Sequence, residues 1–255
     1  VSFGTINREY GEVYFEPMAG PGIYYVYYLP YAKSGSANYP KDFYPKPADG
    51  SGEHSVLVGT EVAFAKVVEI QSIDAFNSFY PMEVIATAAE TGALVKANGT
   101  KDFLVFPEDR MFPIRMTNDL PQRWIERGLQ TGFSGTARKG EFYAFQLGVF
   151  AIKDLKNIRV KFIDLRSAGG AKIAAADMTC INTNGVDHRG VKFEKTVDVA
   201  SRKIQPMWCG ADVAVNAAAG EYKGTATVTA AGEAPQLRES DGSADEMAHA
   251  AQQEG

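Results

Sequence analysis

The side chains that could do acid–base or metal chemistry in this chain are few and widely spaced. Asp245 and Glu246 form an adjacent carboxylate pair of the kind that general acid–base catalysis uses. They lie in an Ala-rich, polar segment without an apolar wall to perturb their pKa, which favours a solvated tail. His54, His188 and His249 have no second ligand at metal-binding spacing. We therefore predict no catalytic residue, no metal and no cofactor in this chain.

Two further motifs have ordinary structural interpretations. Residues 182–187 place oxygen ligands at alternate positions, as a calcium loop does, but Asn184-Gly185 is also the commonest hairpin-turn dipeptide, and we predict a turn. Cys180 and Cys209 lie in apolar, strand-like stretches, which predicts core positions. A disulfide between them is the alternative in an oxidising compartment, because spacing alone does not place their Cα atoms.

The aromatic stretch 11–44 is the best candidate for binding. Gly20-Pro21-Gly22 predicts a turn between two Tyr- and Phe-rich strands, and hence a hairpin. One face of this hairpin must be core, and the other faces solvent, a ligand or a neighbouring domain. Tyrosine rings stack on the apolar face of a sugar ring. The candidate carbohydrate-binding residues are Tyr25, Tyr27, Tyr31 and Tyr44.

Three residues outside this stretch are candidates for an interface. Asp109 and Arg110 place opposite charges next to each other near a turn, a pattern that usually fixes a loop. Trp124 lies near a proline and is most simply a core anchor, with an interface as its alternative place.

Charge and hydropathy exclude two classes of partner. The chain has 255 residues, a formal net charge of −5 and a pI of about 5.4. No global positive field is present to attract a phosphate backbone, so we expect no nucleic acid partner. No apolar run reaches the length of about 18 residues that a membrane-spanning helix requires.

The spacing of the elements predicts an all-β chain of two β-sandwich-type domains with minor helix. Residues 85–96 predict a short helix, whereas 63–70, 103–106 and 112–116 predict strands. From residue 141 onward, six strand-like segments, the first at 142–150 and the last at 222–230, favour an immunoglobulin-like sandwich. The domains predicted are an aromatic-rich β domain at 1–127, the immunoglobulin-like sandwich at 128–235, and a helical linker at 236–255. Recurring glycines at 128–135 mark the boundary, and the linker, with a first residue other than Met, leads us to expect a longer parent chain with a domain following.

Three stretches carry a resemblance to a known family. Residues 140–149, 205–213 and 220–225 read GEFYAFQLGV, QPMWCGADV and GEYKGT. They resemble the N-terminal β-sandwich region of glycoside hydrolase family 123-like proteins, over roughly residues 103–231 and more loosely over the aromatic stretch. In physical terms, Glu141 and Gln146 can satisfy backbone groups where the first of these strands begins.

The resemblance implies a parent enzyme in which the sandwich precedes a (β/α)₈ barrel that releases terminal β-linked N-acetylgalactosamine. That barrel is absent from this chain, so we expect a non-catalytic accessory region of a secreted glycoside hydrolase that packs on the missing catalytic domain. The resemblance also implies an extracytoplasmic location, in the periplasm or at the cell surface. The alternatives are a carbohydrate-binding module that uses surface tyrosines, with a glycan as partner, and an adhesin-like interaction module.

Overall fold

The structure of the protein is a computed structural model. It describes residues 2–7, 9–26, 33–36, 39–42, 48–49, 63–68, 72–73, 78–79, 83–130, 132–232 and 249–250. Side chains are described at 4–7, 9–26, 63–68, 83–130 and 132–232. The chain divides into two compact units, Val1–Met82 and Glu83–Gly255.

The first unit consists of short strands. They are β1 (Ser2–Ile6), β2 (Gly11–Tyr14), β3 (Lys33–Ser36), β4 (Tyr39–Asp42), β5 (Ala48–Asp49), β6 (Ser72–Ile73) and β7 (Ser78–Phe79). Strands β2, β1 and β5 form a three-stranded antiparallel sheet in that order, and β3–β4 and β6–β7 form two hairpins.

Two strand predictions for the first unit are wrong within the described residues. Residues 15–26 carry no strand, so the predicted aromatic hairpin is absent from them. The Tyr24 hydroxyl instead donates to the carbonyl oxygen of Gly20, which closes a local loop around the Gly-Pro-Gly turn. Residues 63–68 of the second predicted strand are irregular and exposed.

The second unit contains both helices of the described chain and most of its strands. They are α1 (Ala88–Ala97), β8 (Phe103–Asp109), α2 (Gln122–Arg127), β9 (Thr136–Ala137), β10 (Phe142–Ala151), β11 (Arg159–Phe162), β12 (Leu165–Ser167), β13 (Lys172–Ile173), a 3-10 turn (Ala175–Asp177), β14 (Met178–Cys180), β15 (Asn184–Val186), β16 (Lys192–Glu194), β17 (Ile204–Asp212), β18 (Gly220–Lys223), β19 (Ala226–Thr229) and β20 (His249–Ala250).

A four-stranded antiparallel sheet, in the order β14-β17-β10-β8, is the centre of this unit. The main core lies on one face of it, between this sheet and the strands of a five-stranded sheet (β13-β12-β18-β20-β9) and of the β11–β19 pair. Residues on β10 alternate between the two faces, as a strand buried on both sides requires. Tyr143 and Phe145 join the main core, whereas Phe150 joins a second core on the other face. The all-β, sandwich-type prediction is confirmed, while the immunoglobulin-like strand order stays a prediction.

Helix α2 covers part of the other face through Trp124. The indole stacks on Phe106 with ring centroids 4.4 Å apart and an interplanar angle of 8°. Gly148 of β10 lies directly beneath it, since a Cβ there would come 2.4 Å from Trp124 Cη2. Burial of such a ring contributes about 3 kcal/mol or more, and this contact fixes α2 to the sheet.

The predicted helix at 85–96 is confirmed as α1. Thr87 and Glu90 form a capping box: Thr87 Oγ1 accepts from the backbone N–H of Glu90 at 3.2 Å, and Glu90 Oε2 accepts from the backbone N–H of Thr87 at 2.9 Å. The first predicted strand of the sandwich, 142–150, is confirmed as β10.

Other boundaries differ from the prediction. Strand β8 continues through Pro107 to Asp109 because β8 is the edge strand of the central sheet, where a residue without an N–H is tolerated. Residues 112–116 are irregular, and they cross the sheet where Gln146 binds their backbone. Asn184-Gly185 belongs to β15 and is not the hairpin turn. The turn follows at Asp187, whose Oδ1 accepts from the backbone N–H of Val191 at 2.9 Å.

The two units divide between residues 82 and 83, which is before the domain boundary at 127/128 that the recurring glycines predict. Strand β8 pairs with β10 across that position, so residues 83–127 belong with the sandwich. Gly128 ends α2 with a φ of 70°, and a Cβ at Gly135 would come 1.8 Å from Tyr143 Oη. Gly128 therefore ends a helix and Gly135 allows a close contact, and both lie inside the second unit. The predicted linker at 236–255 lies outside the described residues except for β20.

Candidate functional site

A charged cluster forms where β8 ends and β10 begins. It consists of Asp109, Arg110, Arg138, Glu141 and Tyr143. The Tyr143 hydroxyl donates to Asp109 Oδ2, and the Arg110 guanidinium donates to Glu141 Oε1. Glu141 Oε2 accepts from the backbone N–H of Arg138 at 2.7 Å. Arg110 Cζ lies 4.9 Å from the centroid of the Tyr143 ring, a cation–π distance.

The surroundings of the cluster keep the pKa values of Arg110, Glu141 and Tyr143 away from neutral pH. Burial, together with the hydrogen bond that it donates to Asp109, raises the pKa of Tyr143. Burial alone would raise the pKa of Glu141, but the Arg110 guanidinium and the backbone N–H of Arg138 outweigh it and lower that pKa. The hydrogen bond to Glu141 raises the pKa of Arg110. Such a cluster presents fixed charges, and these shifts do not prepare a group for proton transfer.

An open depression lies beside the cluster. Its volume is about 580 Å³, and its lining residues are Arg110, Arg138, Lys139, Gly140 and Glu141. Three cationic side chains and one carboxylate give the depression a positive surface. It suits an acidic side chain or another anionic group of a partner better than the apolar face of a sugar ring.

Exposed apolar side chains border the charged cluster. Val215 is 79% exposed, and a Cβ on Gly140 would come 3.0 Å from its Cγ1. Met111 is 75% exposed, and its backbone N–H donates to Asp109 Oδ1 at 2.9 Å. We call the charged cluster with Met111 and Val215 the docking surface.

A buried carboxylate supports this surface from behind. Glu108, next to Asp109 on β8, points to the opposite face of the sheet and is 1% exposed. Its Oε1 accepts from the Trp124 indole N–H, from Arg123 Nη1 and from Arg127 Nη2, the last at 2.9 Å. Arg123 also donates to Glu83 Oε1 at 2.6 Å. These contacts fix α2 and the end of β8, so the docking surface rests on rigid elements.

The structure brings two of the three predicted interface residues together. Asp109 and Arg110 both lie in the charged cluster. Trp124 is fully buried in the second core, which leaves no face of its ring for an interface partner. The partners of Asp109 and Arg110 were not among the predicted site residues, because Tyr143 and Glu141 are more than 30 residues away in sequence. Two backbone roles are confirmed: Glu141 binds Arg138, and Gln146 Oε1 accepts from Ile114 at 2.8 Å.

Of the predicted carbohydrate-binding residues, the structure describes Tyr25 alone. Tyr25 is 76% exposed, and Ile23 and Val26 beside it are also exposed. Tyr27, Tyr31 and Tyr44 lie outside the residues whose side chains are described. Tyr24 packs on Phe15, with ring centroids 5.3 Å apart.

The other chemical candidates stay apart. Among the described residues, no group of three or more His, Cys, Asp or Glu side chains is close enough to hold a metal ion. His188 is exposed on the loop between β15 and β16. His54 and the Asp245-Glu246 pair lie outside the described residues. In the described part of the chain, no helix is both long and apolar enough to cross a membrane.

Comparison with known proteins identifies one family-like region. Residues 1–73 match the family model for glycoside hydrolase 123, N-terminal domain. One similar solved structure is a family 123 glycoside hydrolase from Clostridium perfringens, studied for glycolipid glycan hydrolysis, at 12% sequence identity and a TM-score of 0.40. The match covers 52% of this chain and 25% of that one, so the chain spans a quarter of its length. No curated protein matches the chain.

The family match and the sequence motifs fall on different parts of the chain. The match covers the aromatic stretch and β1–β6, whereas residues 140–149, 205–213 and 220–225 lie in the second unit. The chain therefore has, over residues 1–73, an N-terminal region like that of glycoside hydrolase 123.

Proposed function

We propose that this chain is a non-catalytic accessory region of a glycoside hydrolase and that its second unit packs on the catalytic domain of that enzyme. The observation that carries the proposal is the match of residues 1–73 to the N-terminal domain of glycoside hydrolase 123, which is not the catalytic part of such enzymes. The parent enzyme would act on glycans with terminal β-linked N-acetylhexosamine, in an extracytoplasmic location.

The docking surface supports this proposal by its chemistry. Exposed apolar side chains around a charged centre are typical of protein interfaces, in which the apolar contacts contribute affinity and the charges fix the register. The side chains of Asp109, Arg110 and Glu141 are already paired with other groups of the cluster, so a partner would meet a preformed surface.

The test is binding between this chain and a family 123 catalytic domain from the same genome, measured by surface plasmon resonance. We expect Met111→Asp and Val215→Asp each to weaken binding by about tenfold or more, since a charge would replace an apolar contact. Val186→Asp, at a side chain that is 60% exposed on β15 and away from the docking surface, is the matched control and should leave the affinity within about twofold.

The melting temperature of each variant shows whether the chain is still folded. Met111 is 75% exposed and Val215 is 79% exposed, so neither change should disturb a core. A wild-type chain that does not bind the catalytic domain, or a folded Met111→Asp variant that binds like wild type, contradicts the proposed docking.

Carbohydrate binding is a second candidate, and the exposure of Tyr25 favours it. Isothermal calorimetry with N-acetylgalactosamine-terminated and common host glycans tests it. Saturable binding that Tyr25→Ala abolishes, while Tyr10→Ala at another exposed tyrosine does not, would support a carbohydrate-binding module. No heat of binding with any of these glycans would contradict it.

A further inference from the structure

The two cysteines of the chain meet across the central sheet. Cys180 is the last residue of β14, and Cys209 lies in the middle of β17, where the two are register partners. Both side chains belong to the main core, with 2% and 0% exposure. Each lies among apolar residues, and no covalent bond joins the two.

The hydrogen bonds of the ladder define the geometry of this pair. The backbone N–H of Ile181 donates to the carbonyl oxygen of Trp208 at 2.8 Å. Residues 181 and 208 are therefore the hydrogen-bonded pair, and Cys180 and Cys209 occupy the adjacent non-hydrogen-bonded position. Cα atoms at such a position are about 4.5 Å apart, within the range of about 4.4–6.8 Å that disulfides span. Both side chains also project from the same face, so a bond between them needs little backbone movement.

The environments of the two thiols differ. The Cys209 thiol has two acceptors within reach, Cys180 Sγ and the carbonyl oxygen of Met207 at 3.5 Å. The hydrogen bond from Cys209 lowers the pKa of Cys180 to about 6, against the effect of burial. That same hydrogen bond, followed by burial, raises the pKa of Cys209. Cys180 is accordingly the better nucleophile of the pair.

We propose that Cys180 and Cys209 form a cross-strand disulfide when the chain meets a disulfide oxidant such as oxidised glutathione. The Cys180 thiolate attacks the oxidant disulfide, which gives a mixed disulfide and releases one glutathione. Cys209 then loses its proton and attacks Cys180 Sγ, which forms the protein disulfide and releases the second glutathione. The two thiols of the chain are oxidised and one glutathione disulfide is reduced, so electrons and protons balance.

The bond would act on the weaker edge of the central sheet. Strand β14 has three residues and pairs with β17 alone within that sheet. A disulfide would close the loop between residues 180 and 209, which contains the β15–β16 hairpin, and would restrict the unfolded chain. Because both thiols are buried, the oxidant must reach them during folding or when β14 opens.

The experiment compares the chain refolded with reduced and oxidised glutathione with the chain kept in reductant. We expect the oxidised chain to show no free thiol after denaturation and a mass lower by two hydrogen atoms. Peptide mapping should join the peptides that contain residues 180 and 209. Its melting temperature should exceed that of the reduced chain by on the order of 5–10 °C.

The Cys180→Ala, Cys209→Ala double variant is the control, and its melting temperature should not depend on the redox buffer. If that variant does not fold, thiol counting and peptide mapping on the wild-type chain still decide the question. Two free thiols, or glutathione bound to either cysteine as the end product, would overturn the proposal. Equal melting temperatures of the oxidised and reduced wild-type chains would overturn the stabilising role of the bond.

Discussion

At the scale of single residues, Glu108 shows how strand alternation decides the role of a charge. Glu108 and Asp109 are neighbours in sequence, yet one faces the core under α2 and the other faces the main sandwich side near the surface. A buried carboxylate is tolerated only when donors surround it, and two guanidinium groups and an indole N–H do so here. Removing its charge would leave the two guanidinium groups without their buried counter-ion.

We expect Glu108→Gln to lower the free energy of unfolding by about 2–4 kcal/mol, because a neutral amide replaces a buried, charged acceptor. Urea denaturation followed by tryptophan fluorescence measures this change. Glu221→Gln is the matched control, since Glu221 pairs with Lys223 at 3.3 Å with both side chains more than a third exposed. The control should cost less than about 0.5 kcal/mol, and an equal loss in both variants would contradict the assignment.

The sequence could predict that charges near residue 109 matter but not which groups they meet. A carboxylate and a guanidinium that are adjacent in sequence suggest a local pair. The partner of Arg110 is instead Glu141, and the partners of Glu108 lie on α2. Such choices depend on strand register and on which face each side chain takes, and neither is set until β8 pairs with β10.

At the scale of elements, the packing of α2 on β10 depends on a glycine, Gly148, which has no side chain to fill the contact. Trp124 lies against Gly148, stacks on Phe106 and donates to Glu108, so the ring is held on several sides. Ile114 Cδ1 also lies 2.9 Å from the place of a Cβ on Gly148. Helix α2 can therefore pack on the sheet only at a position where glycine leaves room for the indole of Trp124.

We expect Gly148→Ala to lower the free energy of unfolding by about 1–3 kcal/mol, since the new methyl group would overlap the indole. Gly92→Ala is the matched control on α1, where nothing lies within 4 Å of the new Cβ. Alanine favours a helix more than glycine does, so the control should raise stability by up to about 1 kcal/mol. Chemical denaturation of the three proteins gives the comparison. A Gly148→Ala protein as stable as wild type would contradict the close packing.

Elements with a strong local signal could be predicted, and elements that depend on distant contacts could not. Residues 85–96 have helix-forming side chains and a capping box, and 142–150 form a long apolar run, so both were predicted in place. Residues 112–116 have a similar apolar content but no strand partner among the described residues. Their backbone is bound by Gln146, a contact without a sequence signature.

At the scale of the whole molecule, five carboxylates among the described residues have a lowered pKa. They are Glu90, Glu141, Asp164, Asp187 and Asp198. Hydrogen bonds to the charged form are the main lowering cause; Asp187, for example, accepts from the backbone N–H groups of Val191 and Arg189. A folded pKa below the unfolded value means that protonation favours unfolding.

We therefore expect stability to be fully present above the ordinary pKa values of 4.5 for Glu and 3.8 for Asp, and to fall as pH drops through the folded values. The urea midpoint should decrease as pH falls below about pH 4, where these carboxylates become protonated in the folded chain. Asp187→Asn should reduce the slope of this decrease. A midpoint that rises on acidification would contradict the prediction.

Recurring glycines do not locate the division between the two compact units. That division lies between residues 82 and 83, before the glycines at 128–135, and the predicted domains stay a prediction. Glycine marks turns, helix ends and close contacts alike, so its recurrence does not distinguish a linker from a tightly packed connection. The pairing of β8 with β10 assigns residues 83–127 to the sandwich, and no local feature of that segment indicates it.

The edges of the central sheet bear on how the protein behaves at high concentration. Pro107 of β8 has no N–H, and its carbonyl oxygen already accepts from Arg127 Nη2 at 3.2 Å, so at this position the outer edge offers neither a donor nor a free acceptor. The opposite edge, β14, presents three residues. A strand from another copy would find little backbone to extend, which disfavours templated growth of the sheet into fibrils.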